Sequence, residues 1–193
     1  MGASRSFFVY GRRFAHFLFF EVFMKKNVRF LTHAAIIAAA YVVLTYLQYM
    51  LLSETVSGMI QFRASEALTA LAFFTPAAVP GLTIGCLLFN ITSSAVLPLD
   101  FLVGSLATFL AAEAMWLTRR VRIRKYPLLG MLMPALANSL LVGWELAAYV
   151  GGGFWLNAFY VAVGELTVLL TLGTVLYTAL RRRGLHRRLF DRR

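Results

Sequence analysis

The sequence predicts an all-α integral membrane protein, a bundle of six transmembrane helices with both termini in the cytoplasm. Of its 193 residues, 60% are hydrophobic and only 14% charged, more apolar surface than a soluble core can use. The apolar residues fall in long unbroken runs. A hydrocarbon layer of ~30 Å needs ~20 such residues per helical span, and several runs supply that length. The net charge of +11 comes from basic residues that flank these runs, a pattern that reads as a topology signal, not as a nucleic-acid surface.

Residues 1–24 are aromatic and arginine-bearing but lack the small-residue cleavage site of a secretory leader. The run MKKNVRFLTHAAIIAAAYVVL from Met24 has the form of an ordinary membrane-protein start. Segment 1–24 is therefore read as an extension, either from a start-codon misassignment or as an interfacial amphipathic lead-in. Residues 25–193 form the membrane domain. Its helices are expected at 33–52, 65–75, 77–94, 99–118, 127–150 and 154–180. The second is too short to span alone, and Pro76, Pro80 and Gly81 interrupt the apolar text there. Irregular backbone at membrane depth is tolerated only where protein or a water-filled cavity covers it, so this helix points to a cavity.

Six Lys and Arg precede the first helix, five lie in Arg119–Lys125, seven follow the last helix, and Arg63 stands apart. With six spans, all three basic blocks fall on one face, which the positive-inside rule places in the cytoplasm. The loops near 53–64, 95–98 and 151–153 then face outward.

No GxxxxGK[ST] loop occurs, so nucleotide hydrolysis would have to come from a partner. His16, His33 and His186 lie outside or at the edge of the spans, and no HExxH, GxSxG or Cys/His cluster is present. Cys86 is the sole cysteine, which excludes internal disulfides and cysteine-rich metal sites. No metal, no cofactor and no enzymatic activity are expected of this chain.

Charged groups in hydrocarbon are costly and default to a functional reading. Gln61, Arg63 and Glu66 open the second helix. Asn90 nears the outer end of the third, Asn138 and Glu145 lie in the fifth, and Asn157 and Glu165 in the sixth. Most fall in the outer half under the assigned topology. Asn138, Glu145 and Tyr149 are spaced seven and four apart, on one helical face. Arg63 can neutralise one of Glu66, Glu145 and Glu165, and the others then require protons, donors or a cation. A ligand rich in N–H groups would suit such a site. The plainer readings are an Arg63–Glu66 structural pair, Gln61 satisfying loop backbone, and asparagines joining helices. Asp100 is read as a helix-dipole charge, and Glu113 as facing the basic cluster at Arg119.

Trp144, Tyr149, Phe154 and Trp155 surround the outer loop Gly151-Gly152-Gly153. They form either an interfacial aromatic belt or a stack on a planar heterocycle. Ala34 and Ala38, and Ala35 and Ala39, repeat at four-residue spacing in the first helix, which lets another helix approach closely. Gly81 and Gly85 repeat the pattern.

The run IQFRASEALTALAFFTPAAVPGLTIGCLLFNI at 60–91, DFLVGSLATFLAA at 100–112 and NSLLVGWELAAYVGGGFWLNAFYVAVGEL at 138–166 resemble the QueT family of queuosine-precursor transporters, S components of energy-coupling factor (ECF) transporters. The resemblance covers about 25–181. It implies a six-helix subunit that binds a 7-deazaguanine from outside, with a transmembrane T subunit and two cytoplasmic ATPase subunits supplying ATP-driven uptake. It also implies that Ala34, Ala35, Ala38 and Ala39 meet the T subunit. The first 24 residues match nothing in that family, and loop 93–98 is poorer in glycine than its pattern.

A deazaguanine offers N–H groups, a carbonyl and a flat ring. Glu145 or Glu165 is expected to accept from the guanine-like edge, and Gln61, Arg63 or an asparagine to donate to the carbonyl. A second carboxylate would meet an aminomethyl ammonium. Competing readings are an S component for another vitamin-like heterocycle, and a self-contained secondary transporter.

Overall fold

The computed structural model describes residues 28–52, 62–94, 96–123, 126–182 and 184–190. The segment 1–24 and Gln61 lie outside them. Among the described residues the chain is helical, with a single isolated bridge pairing Ile123 and Tyr126 in the turn between the fourth and fifth helices. The helices are α1 (Val28–Leu51), α2 (Ala64–Phe73), α3 (Ala78–Thr92), α4 (Asp100–Thr118), α5 (Leu128–Tyr149), α6 (Phe154–Arg182) and a short α7 (Leu185–Phe190). Helices α1, α4, α5 and α6 are long and apolar enough to cross a membrane; α2 and α3 are shorter. The protein is a multi-pass membrane protein, and the six expected helices are present within a few residues of their expected ends.

Helix α2 departs from the expected form. It is a 3₁₀ helix over all ten residues, much longer than the usual three or four. At 2.0 Å per residue it extends about 20 Å, against about 15 Å for an α-helix of the same length. Overwinding thus lengthens a segment too short to traverse the bundle otherwise. The three-residue period is written in ASEALTALAF: Ala64, Ala67 and Ala70 repeat every three, as do Leu68 and Leu71. Glu66, Thr69 and Ala72 form one buried column, Ala67, Ala70 and Phe73 a second, and Leu68 and Leu71 face outward as a half-buried column. Packed against α2, the middle of α6 loosens in the opposite sense into a π segment at Leu169–Gly173.

The helices stack in chain order from α3, α3 on α4, α4 on α5 and α5 on α6, while α1 lies against α3. Hydrophobic driving force between helices is weak in lipid, so close backbone approach decides such contacts. A Cβ at Gly81 would lie 2.7 Å from the Ala34 carbonyl oxygen, and one at Gly85 2.9 Å from that of Ala38. The two small-residue motifs therefore engage each other. Ala34 and Ala38 are buried in this internal contact, whereas Ala35 and Ala39 lie on the exposed face of α1. The sequence expectation of four alanines on one partner surface is corrected to that extent. At the other contact, a Cβ at Gly143 would lie 2.8 Å from Ala158 Cα, which brings α5 against α6.

Helix α7 folds back on the start of α1, where Arg29 donates to the Leu189 carbonyl at 3.3 Å and His33 meets Phe190 edge to face.

Candidate functional site

Most of the buried charged residues gather away from the basic ends of α4 and α6. Arg63, immediately before α2, is 8% exposed, Glu66 2%, Asp100 3%, Glu145 0% and Glu165 7%. Four carboxylates from four helices thus surround one guanidinium. Arg63 donates to Asp100 Oδ2 at 2.8 Å. This corrects two expectations: Arg63 pairs with none of Glu66, Glu145 and Glu165, and Asp100 is its counterion, not merely a helix-dipole charge. Asn90 fixes the same corner by donating to the Asp100 backbone carbonyl at 2.8 Å.

The remaining carboxylates are each held on one side or not at all. Tyr41 donates its hydroxyl to Glu66 Oε1 at 2.5 Å, and Asn138 donates to Glu165 Oε1 at 2.6 Å. Among the described residues, Glu66 Oε2, Glu165 Oε2 and both oxygens of Glu145 have no hydrogen-bond partner, nor have Arg63 Nε, Asp100 Oδ1 and Asn90 Oδ1. Buried polar groups are normally paired, because a desolvated carboxylate without donors is costly. One unpaired atom can be met by a water; here several such atoms lie in one place. Arg63, Glu66, Gly104, Thr108, Asn138 and Glu165, with Val142 and Val161, surround a cavity of about 10 Å³. That is room for about one water, far below the ~300 Å³ or more of a typical small-molecule site.

Local sequence explains the placement. Arg63 and Glu66 sit three apart where the 3₁₀ helix begins, so they rise on one column toward the bundle axis. Asn138 and Glu145 share a face of α5 as their spacing of seven predicts, and both are buried. Tyr149, the last residue of α5, is 48% exposed.

Arg63, Glu66, Asn138 and Glu165 are thus brought together around the cavity. Glu145 lies within electrostatic reach of Asp100 and Arg63, and Asn90 braces Asp100. Three predicted aromatics are not at the cluster: Trp144, Tyr149 and Trp155 all face outward, Trp155 the most at 78% exposed, as interfacial rings do. Asn157 donates to the Gly151 carbonyl at 2.9 Å. It pins a loop in which Gly151 and Gly152 adopt φ of 92° and 78°, a region that favours glycine. Gln61 lies outside the described residues. Glu113, near Arg119, takes no part in the cluster.

Sequence reasoning did not single out Tyr41, and it gave Asp100 a different role. A tyrosine inside an apolar helix needs a partner for its hydroxyl, and that signal was available at Tyr41. Asp100 carried no comparable signal, since its partner is 37 positions away and an acid at a helix start has a local explanation.

A family described as QueT transporter matches residues 31–182. A protein of Lactococcus lactis subsp. cremoris, described as a queuosine precursor transporter QueT, is 41% identical over 86 residues, 44% of this chain and 48% of the relative. The matched region is about half the length of that relative. No solved structure matches. With the family match running from α1 to the last turn of α6, the chain belongs to the QueT transporter family.

Proposed function

We propose that this protein captures a queuosine precursor, a 7-deazaguanine, at the cluster of Arg63, Glu66, Asn138, Glu145 and Glu165, and passes it inward across the cell membrane. The observation that carries the reading is the excess of unpaired carboxylate oxygen on Glu66, Glu145 and Glu165 around a guanidinium already matched by Asp100. A deazaguanine edge supplies the N–H donors these oxygens lack, and an aminomethyl ammonium supplies a cation. Arg63 Nε, still unpaired, can donate to the ring carbonyl.

The chain acts as a binding subunit without chemistry of its own. Uptake is driven by an energy-coupling factor module, a transmembrane T subunit with two cytoplasmic ATPases, in keeping with the missing phosphate-binding loop. The basic ends of α4 and α6, far from the cluster, support reading that end as cytoplasmic by the positive-inside rule, with the cluster on the side from which substrate comes.

Mass spectrometry of small molecules retained by the natively expressed, purified protein tests this directly. A 7-deazaguanine released on denaturation, with T subunit and ATPases copurifying, is the expected result. Retention of an unrelated heterocycle, or ion-driven uptake by the purified chain alone in liposomes, would replace it.

A further inference from the structure

The opposite end of the bundle holds a second concavity that substrate capture does not use. Its volume is about 570 Å³, and Arg119, Arg122, Arg181, Arg182 and His186 line it over a floor that includes Phe74 and Tyr177. A cavity of about 330 Å³ shares Tyr177, Arg181 and Arg182 with it. Among the described residues neither cavity is lined by a carboxylate.

Cations at this end have two ordinary explanations: they obey the positive-inside rule, and Arg181 and Arg182 lie in the last turn of a helix, where the dipole favours them. Neither requires four guanidinium groups from two separate segments to converge on one hollow, where they repel one another. The floor is also built. Phe74 stacks on Tyr177 with centroids 5.3 Å apart and lies 5.2 Å from the His186 ring. Arg119 rests 3.4 Å over Trp116 and donates to its carbonyl at 2.6 Å, and Arg181 donates to the Tyr177 hydroxyl at 3.1 Å. Two arginines are thereby fixed in place, while Arg122 and Arg182 are exposed at the rim.

We infer that this hollow binds a phosphate-bearing anion, held by planar guanidinium forks that match phosphate geometry. It sits where the apolar lengths of α4 and α6 end, the depth of lipid headgroups, and basic pockets between helices at that depth recognise anionic phospholipids. A soluble phosphate would meet the same groups, so the two sources are separated by experiment.

The full-length protein is compared with the double variant Arg122→Gln/Arg182→Gln, which spares the two internally bonded arginines. Native mass spectrometry titrates each with phosphatidylglycerol, cardiolipin and phosphatidylcholine, and a parallel arm adds inorganic pyrophosphate and follows thermal unfolding. Retention of the anionic lipids over phosphatidylcholine is expected. The double variant should bind them roughly twenty-five-fold more weakly, at about fivefold per arginine near the membrane surface. Deazaguanine affinity, set at the other end, should be unchanged and so reports that the variant is folded. Stabilisation by pyrophosphate without lipid preference would assign the site to a soluble phosphate. Equal retention of anionic and zwitterionic lipid with no pyrophosphate effect overturns the inference, as does undiminished anion binding by the folded double variant.

Discussion

At the scale of single residues, the cluster keeps one guanidinium and four carboxylates out of water and pairs only some of them. The Arg63–Asp100 bridge is the structural member of the set. Its two side chains are almost fully buried, and removing one partner of a buried pair leaves the other uncompensated. Asp100→Ala should therefore lower stability by about 3–5 kcal/mol, read by unfolding in mixed micelles. Tyr41→Phe removes the hydroxyl that donates to Glu66 Oε1 and should lower stability by about 1–3 kcal/mol in the same assay. The contrast with Glu145 is the informative one. Both of its oxygens lack partners, so Glu145→Gln removes a buried charge without breaking a bond, and the fold should be as stable or more so. A substantial loss of stability in Glu145→Gln would mark it as structural.

At the scale of elements, two devices shape the site: the overwound α2 and the glycine contacts that set α1 against α3. Gly85 admits no side chain, because its Cβ would lie 2.8 Å from Tyr41 Cβ as well as close to the Ala38 carbonyl. Gly85→Leu should separate α1 from α3, lower stability by at least about 1–3 kcal/mol as overpacking does, and pull Tyr41 from Glu66. Thermal unfolding checks the first effect, and ligand affinity the second. Much of this scale was legible in advance, since apolar length and basic flanks give the number and ends of the helices almost directly. The form of α2 was also present, as alanines and leucines three apart, but a short helix with prolines behind it suggests interruption before it suggests a 3₁₀ winding. The pairing of Ala34 and Ala38 with Gly81 and Gly85 was not legible. Small residues say only that some helix comes close, and which one depends on the tertiary arrangement.

For the whole molecule, the two ends carry opposite chemistry, joined by α2, whose start presents Arg63 and Glu66 and whose end presents Phe73 and Phe74. Which buried residues would meet was readable for α5 and α6 from spacing and depth. The aromatic rings were ambiguous, because an interfacial belt and a stacking wall use the same residues, and the fold turns Trp144 and Trp155 toward lipid. The cavity at the cluster holds about one water, so a deazaguanine enters only if helices part. Association should accordingly be slower than the ~10⁵ M⁻¹s⁻¹ lower end of ordinary docking rates. Its observed rate should level off at high ligand concentration in stopped-flow tryptophan fluorescence. A rate that stays linear and near the diffusion limit would mean a site already open.

The central claim is that the unpaired carboxylates receive the ligand. Calorimetric binding of 7-aminomethyl-7-deazaguanine to the detergent-solubilised protein, compared with Glu66→Gln, Glu145→Gln and Glu165→Gln, tests it most directly. Each carboxylate that meets the ligand should lose at least about tenfold in affinity when neutralised, with the fold retained. Unchanged affinity in all three folded variants would contradict the account and move the site elsewhere.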